Sequence, residues 1–169
     1  GLRRTISALR GSQLKPGAHV PPLWAMTLDG AAMSITYKDQ RNPTVLYVFS
    51  PGCKWCQRNA ENMRTLIAAS QGKYRFVGLS LYSQGLREYL AAHKAEWPLV
   101  LTNPTVASIR DYALGGTPTM IVVSTGGVVA RIWKGVFAGT VLRDVEHYFG
   151  VRLADAMQQQ PAGDTSRRH

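Results

Sequence analysis

The two cysteines of the chain, Cys53 and Cys56, lie two residues apart in the stretch VLYVFSPGCKWCQRN. The run Thr44–Ser50 before them is short and almost entirely apolar, which is typical of a strand buried on both faces. Pro51 and Gly52 then interrupt the chain, and a helix-like apolar pattern follows. The stretch therefore predicts a buried strand, a sharp turn and a helix that begins at Cys53.

The rest of the chain alternates short apolar runs with helix-like patterns. A hairpin is predicted around Asp29-Gly30, and a second around Gly126-Gly127. Further strands are predicted at 75–82, 98–102 and from Thr119. Helix faces are predicted from four groups of residues: Ala60, Met63, Leu66 and Ile67; Leu86, Tyr89, Leu90 and His93; Val106, Ile109 and Ala113; Val141, Leu142, Val145 and Phe149. This order predicts an α/β fold with a central mixed β-sheet flanked by helices.

The length of 169 residues suits one folded domain. We divide the chain into a basic extended lead-in at 1–15, a domain at 16–150 and a partly disordered C-terminal tail at 151–169. Half of the formal net charge of +10 lies in the two ends, and no run of Lys or Arg occurs between them. We therefore expect no nucleic-acid partner. The longest aliphatic and aromatic run, Val45–Phe49, is far shorter than the roughly 18 residues of a membrane span.

The spacing of the cysteines allows several kinds of site. A structural zinc site needs four ligands, and the histidines show no paired spacing that would complete one, so no metal is expected. A c-type haem attachment needs histidine after the second cysteine, where Gln57 stands. A purely structural disulfide would close a very small loop and stabilise the fold little. We interpret the pair as redox-active, with the Cys53–Cys56 disulfide replacing any separate cofactor.

The redox interpretation has a physical basis at the start of the helix. Unpaired backbone N–H groups and the helix dipole stabilise a thiolate there, which makes Cys53 the predicted nucleophile. Cys53 would form a mixed disulfide with a substrate, and Cys56, one turn further on, would resolve it. Lys54 adds positive charge that would tune the acidity of the pair. Trp55 is predicted to contribute to an apolar substrate-docking surface.

The chain resembles the thioredoxin-fold thiol–disulfide oxidoreductases, and among them the TlpA/ResA-like branch of redoxins. The matching pieces are CKWC after a buried strand, GGTPTMIVV, the hairpin IVVSTGGVVARIWKG and the lead-in LKPGAHVPPLWAMTLDG. The resemblance covers roughly residues 15–150 and implies a three-layer fold with an N-terminal hairpin and an inserted helix within 82–114. It also implies that Pro118 is cis and faces the cysteines, and that the backbone of Thr117 pairs with the substrate.

The resemblance further implies a protein thiol or disulfide as substrate and an upstream dithiol protein as electron donor. Apocytochrome c, in cytochrome c maturation, or a copper-centre apoprotein would fit the family. The location implied is extracytoplasmic, periplasmic or membrane-anchored, with any signal or anchor outside this chain. We expect a monomer. The chain departs from the family where thioredoxins carry a buried acid and has Tyr47 there; Asn59 replaces the glutamate of the ResA-like branch.

Two rival functions stay open. A peroxiredoxin-like peroxidase shares the fold, and Ser50 lies three residues before Cys53, where such enzymes carry Thr or Ser; Tyr47 replaces their proline. A non-enzymatic chaperone could hold Cu(I) between two thiolates. The direction of electron flow also stays open, because related dithiols span potentials from roughly −270 to −120 mV.

Overall fold

Seven strands form one mixed sheet in the computed structural model, which describes residues 13–93 and 96–158. The strand order is β2-β1-β5-β4-β3-β6-β7. Strands β3, β4 and β5 are parallel to one another, and every other neighbouring pair is antiparallel. The strands are β1 Leu23–Met26, β2 Ala32–Ile35, β3 Thr44–Phe49, β4 Arg75–Ser80, β5 Leu99–Thr102, β6 Thr119–Val123 and β7 Val129–Lys134.

Four helices accompany the sheet in the described residues: α1 Lys54–Ser70, α2 Leu86–His93, α3 Val106–Asp111 and α4 Gly139–Phe149. One core cluster joins α1, α2 and α4 to one face of the sheet. A second cluster joins the hairpin β1–β2 and the chain after α3 to the other face. The mixed sheet between two covering layers, the N-terminal hairpin and the helix inserted within 82–114 are as predicted.

Strand β3 is the centre of the structure and is buried along its whole length, as predicted. Its side chains alternate between the two core clusters. Val45, Tyr47 and Phe49 pack in the cluster with α1. Leu46 and Val48 pack in the opposite cluster. Because apolar groups cover both faces, β3 holds its C-terminal end, and with it the cysteine turn, against a rigid core.

Helix α3 forms where it was predicted, but the face predicted from Val106 and Ile109 is wrong. Val106 is 81% exposed and Ile109 is 38% exposed, whereas Ser108 is 2% exposed. The reason is a hydrogen bond: the backbone N–H of Trp24 in β1 donates to the Ser108 hydroxyl at 2.8 Å. A partly buried backbone donor of a strand needs an acceptor, and this requirement orients the short helix.

The segment after α4 packs on the domain as far as the structure describes it. Gly150 ends α4 in the left-handed conformation with φ 67°. The backbone of Ala154 then forms two hydrogen bonds with the Asn62 side chain of α1, at 2.6 and 3.0 Å. Ala156 is fully buried. Two predictions lie outside the described residues: the extended lead-in over 1–12 and the disordered end of the tail over 159–169.

Candidate active site

Cys53 caps the N-terminus of α1. Its sulfur accepts a hydrogen bond from the backbone N–H of Cys56 at 3.1 Å. Its carbonyl oxygen accepts the N–H of Gln57, also at 3.1 Å. The turn before it is closed by a hydrogen bond from the Cys53 N–H to the Ser50 carbonyl. This arrangement directs an N–H group and the positive end of the helix dipole at the sulfur, so it stabilises negative charge on that atom.

Cys56 lies one turn further into α1 and is fully buried. Both cysteines are free thiols. Burial raises the pKa of the Cys56 thiol well above its ordinary value, and the hydrogen bond with Cys53 adds to this. The Ser50 backbone and the Thr117 side chain act in the opposite direction but are outweighed. The two cysteines therefore differ: Cys53 is partly accessible, whereas burial favours the protonated form of Cys56.

The loop before β6 reaches the cysteines. The Thr117–Pro118 peptide bond is cis. The Cys53 sulfur lies 3.7 Å from the Thr117 carbonyl oxygen, to which its S–H donates. The Pro118 carbonyl accepts the N–H of Gly135 at 2.8 Å, which fastens the loop to the end of β7. Two segments that lie 64 residues apart in sequence thus meet at the Cys53 sulfur atom.

Lys54 and Trp55 lie on the outer surface of the same turn. The Trp55 side chain is 42% exposed. The Lys54 ammonium lies 5.4 Å from the centroid of the Trp55 ring, and the Arg58 guanidinium lies 5.9 Å from it. These are cation–π distances, so both cations lie against the indole ring. An exposed aromatic ring bordered by positive charge adjoins Cys53; the tuning role of Lys54 stays a prediction.

Two uncharged polar side chains, Tyr47 and Asn59, are buried on the elements that flank the cysteine turn. Tyr47 extends from β3 and is buried, and Asn59 lies one turn after Cys56 on the same side of α1. Asn59 Oδ1 accepts the backbone N–H of Phe137 at 2.8 Å. The Tyr47 hydroxyl and the Asn59 amide nitrogen have no hydrogen-bond partner among the described residues. The sequence analysis identified both positions as departures from the family, and both are core-facing positions of their elements.

In the part of the chain that is described, no three His, Cys, Asp or Glu side chains come together as metal ligands. Among the described helices, none combines the length and the apolar character that crossing a membrane requires.

Solved structures similar to this chain include two disulfide oxidoreductases. The thioredoxin domain of a thiol-disulfide oxidoreductase from Bacteroides vulgatus has a TM-score of 0.64 and 19% identity, over 81% of this chain and 99% of that one. A secreted Mycobacterium tuberculosis disulfide oxidoreductase, homologous to Escherichia coli DsbE, has a TM-score of 0.59 and 17% identity, over 75% of this chain and 93% of that one. The thioredoxin-like fold implied by the resemblance is therefore confirmed.

A peroxiredoxin-like protein from Aquifex aeolicus is also similar, with a TM-score of 0.60 and 13% identity over 72% of this chain and 77% of that one. No family model and no curated protein matches the chain. At these identities the likeness shows the fold, and the fold carries more than one chemistry. The activity must therefore be argued from the site.

Proposed function

We propose that this protein exchanges disulfides with a protein partner through Cys53 and Cys56. The observation that carries the proposal is the unequal placement of the two sulfurs. Cys53 is partly exposed at a helix N-terminus, within 3.7 Å of the Thr117 carbonyl. Cys56 is buried behind it, and burial raises its pKa. The Cys53 sulfur is placed to attack a substrate, and the Cys56 sulfur remains a thiol until the second step.

The reaction runs in two balanced steps. The Cys53 thiolate attacks one sulfur of a substrate disulfide, a Cys53–substrate disulfide forms, and the second substrate sulfur leaves with the electron pair. Cys56 then attacks the Cys53 sulfur, the Cys53–Cys56 disulfide forms, and the remaining substrate thiolate departs with the proton that Cys56 releases. The protein dithiol loses two electrons and the substrate gains them. The reverse sequence oxidises a dithiol substrate.

The loop at Thr117 and Pro118 supports a role in holding the substrate. The backbone N–H of Thr117 donates to no acceptor among the described residues. Because Thr117 borders the attacking sulfur, this N–H is available to an extended peptide that lies along the loop. A cavity of about 180 Å³ lies beside it, lined among others by Thr117, Pro118 and Lys134. Its volume suits one side chain of a partner better than a free cofactor.

We place the partner outside the cytoplasm, where protein disulfides persist. The similar M. tuberculosis protein is described as secreted, which supports this location. Reducing equivalents would come from an upstream dithiol protein, because the exchange consumes one dithiol in each turnover. The exposed Trp55 ring, bordered by the cations of Lys54 and Arg58, would provide part of the docking surface.

The proposal is tested with a fluorescent mixed disulfide of glutathione as substrate. We expect the wild-type protein to turn it over and the Cys53→Ser variant to lose turnover. The Cys56→Ser variant should instead accumulate a covalent complex with the substrate, because capture proceeds and resolution does not. Mass spectrometry of the complex, before and after a reductant, checks that the link is a disulfide at Cys53.

Two other results would contradict the proposal and identify the rival functions. Rapid consumption of hydrogen peroxide by wild type, without turnover of the mixed disulfide, would identify a peroxidase. Tight binding of Cu(I) that a mild oxidant abolishes, again without turnover, would identify a metal carrier.

A further inference from the structure

The cavity of about 180 Å³ beside the Thr117–Pro118 loop lies on the face of the sheet away from α1. Strands β6 and β7 form one wall of it. Ile121 pairs there with Ile132, and Thr119 pairs with Lys134. Both isoleucines pack in the core cluster of this face. Because strand side chains alternate between faces, Thr119 and Lys134 extend on the same side as the isoleucines.

The inner part of this cavity is apolar. Ile121 is 1% exposed, and Ile132 packs partly buried against the same cluster. Tyr112 also lines the cavity. The Tyr112 hydroxyl is already hydrogen-bonded to the Tyr37 hydroxyl and to the Pro21 carbonyl. A side chain that enters the cavity therefore meets hydrocarbon before it meets a polar group.

Of the described residues that line the cavity, Lys134 is the one with a charged side chain. It is exposed, and its ammonium forms no ion pair with any described residue. Asp111 precedes this part of the chain and is paired with Arg110 at 3.7 Å. No Asp or Glu occurs in the sequence between Asp111 and Asp144. An ammonium at the rim of an apolar cavity is complementary to a side chain with methylene groups and a terminal carboxylate.

The other cations near Cys53 are placed differently. The side chains of Lys54 and Arg58 lie against the Trp55 ring on the outer surface of α1, and neither lines the cavity. The first turn of α1 contains no acidic residue. Positive charge therefore lies on both sides of the attacking sulfur, which favours a negatively charged partner. Lys134 alone combines that charge with a cavity.

We propose that this cavity is a specificity site that receives a glutamate side chain of the partner protein, close in sequence to the cysteine that Cys53 attacks. The methylene groups of the glutamate pack on Ile121 and Ile132, and its carboxylate pairs with the Lys134 ammonium. The inference rests on the proposed function and names the class of substrate that the site selects: a protein segment with an acidic residue beside its reactive cysteine.

The position of the glutamate follows from Thr117. This residue lines the cavity, and its carbonyl oxygen lies 3.7 Å from the Cys53 sulfur. An extended chain advances about 3.3–3.6 Å per residue, so the glutamate should lie within about two residues of the attacked cysteine. The site acts on capture, because the partner is bound before the mixed disulfide forms. The second step joins two sulfurs of this protein, Cys56 and Cys53, and does not use the site.

The site is tested with short peptides whose single cysteine forms a mixed disulfide with thionitrobenzoate. When Cys53 of the reduced protein attacks the peptide sulfur, thionitrobenzoate leaves because it is the more acidic thiol, and its absorbance gives the rate of capture. Glutamate is placed in turn at the two positions before and the two positions after the cysteine, with glutamine at the same position as the matched peptide. Each rate is divided by the rate of free glutathione with that peptide.

We expect wild type to capture the glutamate peptide about threefold to fivefold faster than the glutamine peptide at one position. The preference should disappear in about 1 M salt, which screens the ion pair. Lys134→Gln should bring the ratio close to one, and Lys134→Glu should favour a lysine peptide instead. Lys73→Gln is the matched control, because it removes the same charge from the chain beyond the C-terminal end of α1, and it should keep the preference. Lys54→Gln should also keep it.

Equal capture of the glutamate and glutamine peptides at all four positions would overturn the site. An equal preference for glutamate at every position would also overturn it, because it would show only a general attraction. The same holds for a preference that survives in Lys134→Gln or is lost in Lys73→Gln or Lys54→Gln. Failure of the proposed function looks different, because wild type would then capture no peptide faster than Cys53→Ser does, whatever the charge of the peptide.

Discussion

Buried tyrosine hydroxyls are hydrogen-bonded on one face of the sheet, and one on the other face has no partner among the described residues. On the face away from the cysteines, the Tyr37 and Tyr112 hydroxyls lie 2.7 Å apart, and Tyr112 donates to the Pro21 carbonyl. Both hydroxyls therefore have a hydrogen-bond partner, and this series of hydrogen bonds ends on the backbone just before β1. On the cysteine face, Tyr47 is equally buried, but its hydroxyl has no partner.

The difference separates buried hydroxyls that stabilise the fold from one that does not. The hydrogen bonds of Tyr37 and Tyr112 fasten the segment just before β1 to the end of α3, so they add to stability. The Tyr47 hydroxyl and the Asn59 amide nitrogen have no partner among the described residues, so they cost stability. Four predictions sharpen this comparison, from the largest effect to the smallest.

Alkaline pH should destabilise the protein in part through the hydrogen-bonded pair Tyr37 and Tyr112. Burial raises the pKa of Tyr37 to about 12 from 10.0, and it also raises that of Tyr112. Since the folded state prefers the protonated phenols, their contribution is intact below pH 10 and is lost as the pH rises from 10 towards 12. A shift of this size in Tyr37 alone corresponds to about 3 kcal/mol. Denaturant unfolding measured from pH 8 to 12 checks the fall in the free energy of unfolding.

The variant Tyr112→Phe should lower the free energy of unfolding by about 2 kcal/mol at neutral pH. It removes the hydroxyl that both accepts from Tyr37 and donates to Pro21, and it leaves the Tyr37 hydroxyl buried without a partner. Urea denaturation measures the change. Tyr82→Phe is the control, because Tyr82 is 63% exposed and should have no effect. A loss of less than about 0.5 kcal/mol in Tyr112→Phe would contradict this role of its hydroxyl.

The outline of the site was predictable from sequence, and its interior was not. The apolar run, the turn and the spacing of Cys53 and Cys56 act locally, so they predicted a buried strand and a helix that starts at the first cysteine. The contact between Cys53 and Thr117 came only from the family resemblance, because nothing local joins residues so far apart. The burial of the Tyr47 hydroxyl and the Asn59 amide nitrogen without a partner depends on how deeply α1 packs against β3, which a sequence pattern does not specify.

A similar limit explains the error in α3. Apolar spacing predicted that Val106 faces the core, but a backbone donor of β1 required Ser108 there instead. Periodicity reports the average preference of a helix face. In a helix of six residues, one partly buried hydrogen bond outweighs it.

Gly78→Ala should destabilise the protein by about 1 kcal/mol through the packing that holds Tyr47. The added Cβ atom would lie 3.2 Å from the Trp97 ring and 3.4 Å from Phe49, so the aromatic stack must shift. Thermal and urea unfolding measure the loss. Gly115→Ala is a suitable control, because a Cβ atom there meets nothing within 4 Å. Equal stability of the two variants would show that the stack tolerates displacement.

Tyr47→Phe has the smallest expected effect on the free energy of unfolding. The sign of this effect tests whether the hydroxyls on the two faces of the sheet differ. Removing a hydroxyl that has no partner forfeits no hydrogen bond of the resting protein and relieves a buried polar atom. The free energy of unfolding should therefore stay within about 0.5 kcal/mol of wild type or rise, in contrast to the loss in Tyr112→Phe. A loss of about 2 kcal/mol would mean that Tyr47 is already satisfied in the folded protein. Two buried tyrosines changed in the same way would then respond alike, and the difference between the two faces would disappear.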